Sequence, residues 1–319
     1  MNAMPSSLLR RVAVLATLAL IAACSPGTGN LGPVATPPPT TTPSIDAPSP
    51  EPTAGESPEG ESPNPTPDGS PGETTTIRVY FFLDSFTHQP GLAPVLYEIP
   101  KTQAVATAAM GFLLDGPVDM EDPTRPALFT AIPDGTQLLG ITIEDGIATV
   151  DLSREFESGG GSASVFGRLA QVVYTLTQFP TVDTVTFKLD GEPVTVFSGE
   201  GVVLDHPVGR ADYRDQLPAI FVDRPAWGAA LGNPARITGL SNVFEATFRV
   251  AILDGSDDVL VDVMAMAACG TGCWGEFDAT LPYSVEAAQW GTLRVYDLSA
   301  KDGTPENVTD YPVWLTPGS

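Results

Sequence analysis

From Ser25 to about Thr76 the chain is proline, threonine, serine, glycine and acids, with no Lys or Arg and almost no large apolar side chain. Such a segment buries too little surface to offset the entropy of ordering it. Residues 24–76 are therefore predicted to form a disordered tether, which confines folding to roughly 240 of the 319 residues. Its prolines favour extended conformers, so a tether of roughly 50 residues reaches on the order of 150 Å when stretched and much less when coiled.

Upstream, Arg10 and Arg11 precede Val12 to Ala23, an apolar run of 12 residues. A helix needs about 20 to cross a bilayer. A charged start, a short apolar middle and small residues at the end mark an export signal, residues 1–23. The ending Ile21-Ala22-Ala23-Cys24 resembles the bacterial lipobox, in which the signal is cut before the cysteine and that cysteine receives lipid, palmitate included. Cys24 is thus the expected lipid attachment and puts the protein at the cell membrane on its extracytoplasmic side. The alternative is an ordinary signal cut near Ala23 with an incidental cysteine. Using Cys24 leaves Cys269 and Cys273, an even pair in an oxidising compartment. In "CGTGCW" two glycines let the chain fold back tightly enough for a short disulfide. A metal site needs about four ligands. Only His88 and His206 are there to add to the cysteines, so no metal or cofactor is expected.

The stretch "DHPVGRADYRDQLP", residues 205–218, is polar, bounded by prolines and without a period. It is the expected boundary between a first domain, 77–204, and a second, 217–316. In the first, "IRVYFFL" (77–83) and "VLYEI" (95–99) are strand-like in their β-branched and aromatic content. Thr102 is placed to cap a helix in which Val105, Ala109, Phe112 and Leu113 share a face and which Gly116-Pro117 ends. A two-residue turn at Asp145-Gly146 sets Ile143 opposite Ala148 and Ile141 opposite Val150. The same test at Asp190-Gly191 sets Phe187 opposite Val194 and Val185 opposite Val196. Between these hairpins Val165, Leu169, Val172 and Leu176 fall at helical spacing, and Pro180 closes the element. The helix's other face carries Arg168, Gln171, Thr175 and Gln178, which are read either as a partner surface or as a solvated back. Both helices are expected to cover one face of a mixed sheet, giving an α+β domain. The second half shows about seven strand-like segments over roughly 100 residues, the expectation for an all-β immunoglobulin-like sandwich. Cys269 and Cys273 are expected to staple a turn between neighbouring strands.

Residues 77–200 resemble the sporulation and spore germination domain called GerMN. The resemblance is carried by "VYFFL", by "LLDGP" after the first helix, by "AIPDGTQLLGITIEDGIATVDLS" and above all by "QVVYTLTQFPTVDTVTFKLDG". Residues from about 218 to 316 are similar to the immunoglobulin-like domain of bacterial spore germination proteins, through "ARITGLSNVFEATFRVAILD", "GEFDATLPY" and "LRVYDLSAKDG". The resemblance implies envelope-associated domains carried on lipoproteins, found also in bacteria that form no spores. It brings no catalytic residue with it. A relation of the first family to ring-building modules of envelope assemblies implies scaffolding or docking.

The residues themselves offer little chemistry. H-E-x-x-H, G-x-S-x-G and the phosphate-cradling G-x-x-x-x-G-K are absent from the sequence, and no G-x-G-x-x-G stands between a strand-like and a helix-like segment as a dinucleotide fingerprint must. Two histidines leave a Ser-His-Asp arrangement few ways to form. Carboxylates are too numerous for counting to exclude an acid/base pair, yet most fall in turns, where Asp serves backbone geometry. "LDGSDDV" offers Asp254, Ser256 and Asp258 as a calcium loop, but the glycine after the third ligand and the distal bidentate Glu are missing. The formal net charge is −24, more negative still once Arg10 and Arg11 leave with the signal. Nucleic acid is excluded as a partner by that balance. The leading expectation is a non-enzymatic envelope lipoprotein that binds a protein or cell-wall partner. A wall hydrolase or its regulator, and a small-ligand sensor, are the alternatives.

Overall fold

The computed structural model describes residues 73–83, 91–117 and 128–318. The expected signal peptide, Cys24, His88 and the tether up to residue 72 lie outside the described residues. The tether was expected to run to Thr76, but Thr74–Thr76 already belong to the first strand. Thr74 pairs with Pro100 there, and β-branched threonines suit a ladder position.

Strands β1 (Thr74–Leu83) and β2 (Gly91–Pro100) pair antiparallel over their whole length. Helix α1 (Val105–Asp115) follows. Thr102 Oγ1 accepts from the Ala104 N–H at 3.1 Å and so sets the turn before the helix; Ala104 rather than Thr102 occupies the cap. Gly116, at φ +84°, ends it. Strand β3 (Leu128–Phe129) pairs only with Phe82 and Leu83.

A second sheet holds β4 (Leu138–Glu144), β5 (Ile147–Leu152), β6 (Thr184–Leu189) and β7 (Glu192–Pro193) in that order. Asp145 and Gly146 both take positive φ, the geometry a right-twisted two-residue hairpin demands, and Ile143 faces Ala148 while Ile141 faces Val150. Helix α2 (Ser162–Leu176) is the crossover that lets β5 and β6 run parallel. The sheet is therefore mixed and the domain α+β. At Asp190-Gly191 the hairpin is shorter than the alternation predicts. Phe187 meets Val194, but Pro193 has no N–H to donate and Ser198, at φ +58°, reverses the chain. Val196 therefore pairs with Val203, joining β8 (Val196–Phe197) to β9 (Val202–Val203), and Val208 takes the place beside Val185.

The remaining strands are β10 (Ile220–Arg224), β11 (Ala230–Leu231), β12 (Ala235–Ser241), β13 (Thr247–Leu253), β14 (Val259–Met266), β15 (Gly275–Leu281), β16 (Gln289–Leu298) and β17 (Pro305–Leu315). They form a sandwich of two sheets, β10-β12-β15 and β11-β17-β16-β13-β14. Phe248 and Phe277 meet edge to face between the sheets, 4.8 Å apart. Cys269 and Cys273 are disulfide-linked, with Cα atoms 5.8 Å apart. They lie where the chain passes from β14 in one sheet to β15 in the other, so the bridge stiffens a crossover and not a hairpin. The approach is tight: a Cβ on Gly275 would stand 2.2 Å from the Cys269 amide nitrogen.

The two halves are continuous in their packing. Trp227 N–H donates to Pro94 O at 2.8 Å and Leu96 N–H to Trp227 O at 3.0 Å, so the chain after β10 extends the outer edge of β2. At Gly91 a Cβ would meet the Pro218 nitrogen at 2.5 Å.

Candidate functional site

The polar line on α2 is not the surface the pattern suggests. Gln171 and Thr175 are fully buried, Arg168 is 1% exposed and Gln178 is half-buried. Among the described residues, the edge of β1 opposite β2 has no strand beside it beyond β3, and α2 fills the place with side chains. Gln178 Oε1 accepts from the Arg78 N–H at 2.7 Å while its Nε2 donates to Arg78 O. Thr175 Oγ1 accepts from the Tyr80 N–H, and Gln171 Nε2 donates to Tyr80 O at 3.0 Å. Helical spacings of four and three residues rise about 6 and 4.5 Å. Alternate strand residues are about 6.8 Å apart, so Gln178 serves Arg78 while Thr175 and Gln171, from either side, both converge on the amide and carbonyl of Tyr80. Arg168 instead binds a loop: its guanidinium donates to Phe156 O, Ser158 O and Gly159 O at 2.7, 2.9 and 2.9 Å. Among the described residues no carboxylate pairs with it; carbonyl oxygens saturate its donors instead, although burial pulls its pKa down.

The arrangement with chemical potential lies at the seam between the halves, where the sequence shows only a boundary. Residues 210–216 form 3₁₀ turns, started by the Asp212 carboxylate accepting from the Gly209 N–H at 2.8 Å and anchored by buried Tyr213. This puts Arg210 across α2, β1 and β10. Its Nε donates to Thr177 Oγ1 at 2.9 Å, one terminal nitrogen to the Tyr80 hydroxyl at 2.9 Å and to Tyr174 O, and the other to Asp223 at 3.2 Å. The guanidinium also lies over the rings of Tyr80 and Tyr174, 5.2 and 4.7 Å from their centroids. Asp223 on β10 further accepts from Arg78 at 2.8 Å and from the Tyr80 hydroxyl at 2.6 Å.

The electrostatics follow from this geometry. Burial alone would push the Asp223 carboxyl up, but the charges of Arg210 and Arg78 more than reverse it and hold it below the usual range. Burial alone would pull Arg210 down, and Tyr80 and Asp223 outweigh it in turn. Burial raises the Tyr174 hydroxyl to about 12 and pushes Tyr80 up as well, helped by Asp223.

Beside this network a trough of about 640 Å³ opens on the outer face of the β10-β12-β15 sheet. Phe221 and Leu240 supply apolar floor, Arg210 and Arg214 stand on the linker side, and Glu276 and Asp278 stand on β15 opposite. Asp278 is held by Arg236 through a pair of bonds as short as 2.6 Å. Among the described residues no group of three His, Cys, Asp or Glu is placed to hold a metal ion. Asp254 caps its own turn, accepting from the Ser256 and Asp258 amides. His206 sits exposed beside Asp205, which raises its pKa through their hydrogen bond. A signal for the seam was present in the sequence: Arg210 and Arg214 are close-set cations in a chain with 15 Lys and Arg against 39 Asp and Glu.

Comparison with known proteins separates the same two halves. The family model described as sporulation and spore germination, Germane, matches residues 78–195. The model described as the immunoglobulin-like domain of bacterial spore germination, Gmad2, matches residues 219–304. Lipoprotein LpqB of Thermobifida fusca (strain YX) is 30% identical over 131 residues, which make up 40% of this chain and 20% of that protein. The chain thus spans about a fifth of the length of this curated relative. Among solved structures, the first GerMN domain of the sporulation protein GerM from Bacillus subtilis is 23% identical, covering 43% of this chain and 99% of that one at a TM-score of 0.36. The tandem GerMN domains of the same protein are 17% identical, covering 66% and 62% at a TM-score of 0.37. The chain resembles, in order, a Germane domain and a Gmad2 immunoglobulin-like domain of bacterial spore germination.

Proposed function

We propose that this chain is a lipoprotein of the bacterial cell envelope, anchored through Cys24 on the extracytoplasmic face and held out by its Pro/Thr/Ser-rich segment. Its two domains, 77–204 and 217–316, act as a non-enzymatic binding and docking module for a cell-wall or envelope-protein partner. The observation that carries the reading is the seam. Arg78, Tyr80, Arg210 and Asp223 lock the halves together in a part-buried network, so both are presented as one surface with the trough beside the joint. Presentation of a preformed concavity is what a docking module requires, since ordering costs on binding are then small. The lipobox-like ending at Cys24, the lipoprotein named among its relatives and the germination-type domains support the address.

Two measurements test it. Metabolic labelling with a palmitate analogue is expected to mark the chain and to fail on Cys24→Ala; labelling of the variant would refute the anchor. Co-sedimentation with isolated cell-wall sacculi, or crosslinking to one envelope protein in intact cells, is expected without release of wall fragments. Fragment release would convert the reading into a hydrolase.

A further inference from the structure

The charged groups around the trough divide into those already committed and those left over. Asp223 is taken by Arg78, Arg210 and Tyr80, and Arg210 by Asp223, Tyr80 and Thr177. Asp278 is taken by Arg236. What remains is one cation and one carboxylate. The Arg214 and Glu276 side chains form no ion pair or hydrogen bond among the described residues, and both line the trough. Arg214 is on the linker wall and Glu276 is on β15 across from it, directly paired with Leu240 in the strand register. Between them lies the apolar floor, Phe221 and Leu240.

This is a bipolar concavity. A purely anionic ligand would meet Arg214 against the field of a chain at −24, and a purely cationic one would leave Arg214 opposed. A ligand with a carboxylate at one end, an ammonium at the other and an apolar body between satisfies both free charges and covers the floor. Its volume is also of the right order, since sites for small ligands run from about 300 to 1,000 Å³. The geometry points to a short zwitterionic peptide as the occupant, its carboxylate on Arg214 and its ammonium on Glu276. This deepens the docking function proposed above and rests on it for biological context. Two sources share this chemistry: free peptides, and wall-attached peptides that keep a free carboxylate and a free amine.

The test is calorimetric titration of the purified chain with trialanine, its N-acetylated form and its C-terminal amide. Trialanine is expected to bind, and each blocked form to bind at least about tenfold more weakly. Arg214→Gln should bind trialanine and its amide equally, and Glu276→Gln should bind trialanine and its N-acetylated form equally, because each variant has lost the partner of the blocked end. Neither variant should change the melting temperature, which checks that folding is intact. No binding of trialanine, or binding indifferent to both end blocks and both variants, overturns the proposal. Sacculus co-sedimentation of the two variants separates the sources. Lost pelleting together with lost trialanine binding assigns wall peptides; retained pelleting with lost trialanine binding assigns free peptides. Trialanine binding by a parent chain that never pellets upholds the site while refuting the wall partner.

Discussion

Replacing Asp223 should unpin the seam. Its carboxylate takes the Tyr80 hydroxyl at 2.6 Å, Arg78 at 2.8 Å and Arg210 at 3.2 Å, and the side chains of Arg78, Asp223 and Arg210 are 12, 22 and 29% exposed. Asp223→Ala leaves two largely buried guanidinium groups without a countercharge and one buried hydroxyl without its acceptor. Breaking a fully buried pair costs about 3–5 kcal/mol. The remaining solvent access of the two arginines reduces that here to about 2–4 kcal/mol. In urea denaturation the loss should appear as a lower midpoint at unchanged slope, and a thermal scan should fall by about 2–4 °C per kcal/mol. The effect must also depend on pH. Asp223 has a lowered pKa in the folded state, so its contribution is complete above the ordinary carboxyl value of about 3.9 and is lost as pH falls through the lower folded value. Asp223→Asn keeps the shape and loses the charge, so its stability gap from the parent should be widest near neutrality and close under acid. A gap below about 0.5 kcal/mol at neutral pH, or one that persists unchanged into acid, would refute the reasoning.

Gln171→Leu should cost about 2–4 kcal/mol, because it strands Tyr80 O and the Ala131 N–H in the interior. Hydrogen exchange at Ala131 and at Tyr80, whose amide is held by Thr175, reads the loss, and unchanged protection would count against the side-chain ladder. Gly275→Ala places a methyl against the Cys269 backbone and should keep Cys269 and Cys273 from pairing during oxidative folding, so a chromogenic thiol reagent should count two more free thiols per chain than in the parent; an equal count would refute the reasoning. Tyrosine titration by ultraviolet absorbance should find Tyr174 half-ionised only near pH 12. Because its folded pKa is raised, the associated stability is full below about pH 10 and lost as pH rises through the folded value.

The hairpins and most strands were legible because side-chain alternation and Asp-Gly turns are local signals. Ile141 and Ile143 reveal their partners without knowledge of anything distant. The α2 polar line misled for an equally physical reason. A helix face of Gln and Thr implies solvent unless a strand edge supplies the complementary amides, and that edge lies 91 to 100 residues away in sequence. The absence of Lys and Glu from that face was the available hint. Beyond the close-set Arg210 and Arg214, the pairing at the seam left no pattern, because Arg78, Tyr80, Arg210 and Asp223 each sit in an ordinary local context, two on a strand, one in a polar stretch and one at a strand end. Val185 shows the limit of register arguments: Val208 displaced Val196 because a proline and a reversal ended the hairpin early.

Strand β1 contains "IRVYFFL", a run of β-branched and aromatic residues with high strand propensity. An exposed edge on such a strand is a template for adding strands from other molecules. Gln171, Thr175 and Gln178 occupy that edge with groups that cannot propagate a ladder, since a side-chain amide offers no next residue. Copies crowded on one surface can therefore collide without polymerising through β1, and only a chain whose second helix has come loose would regain that ability.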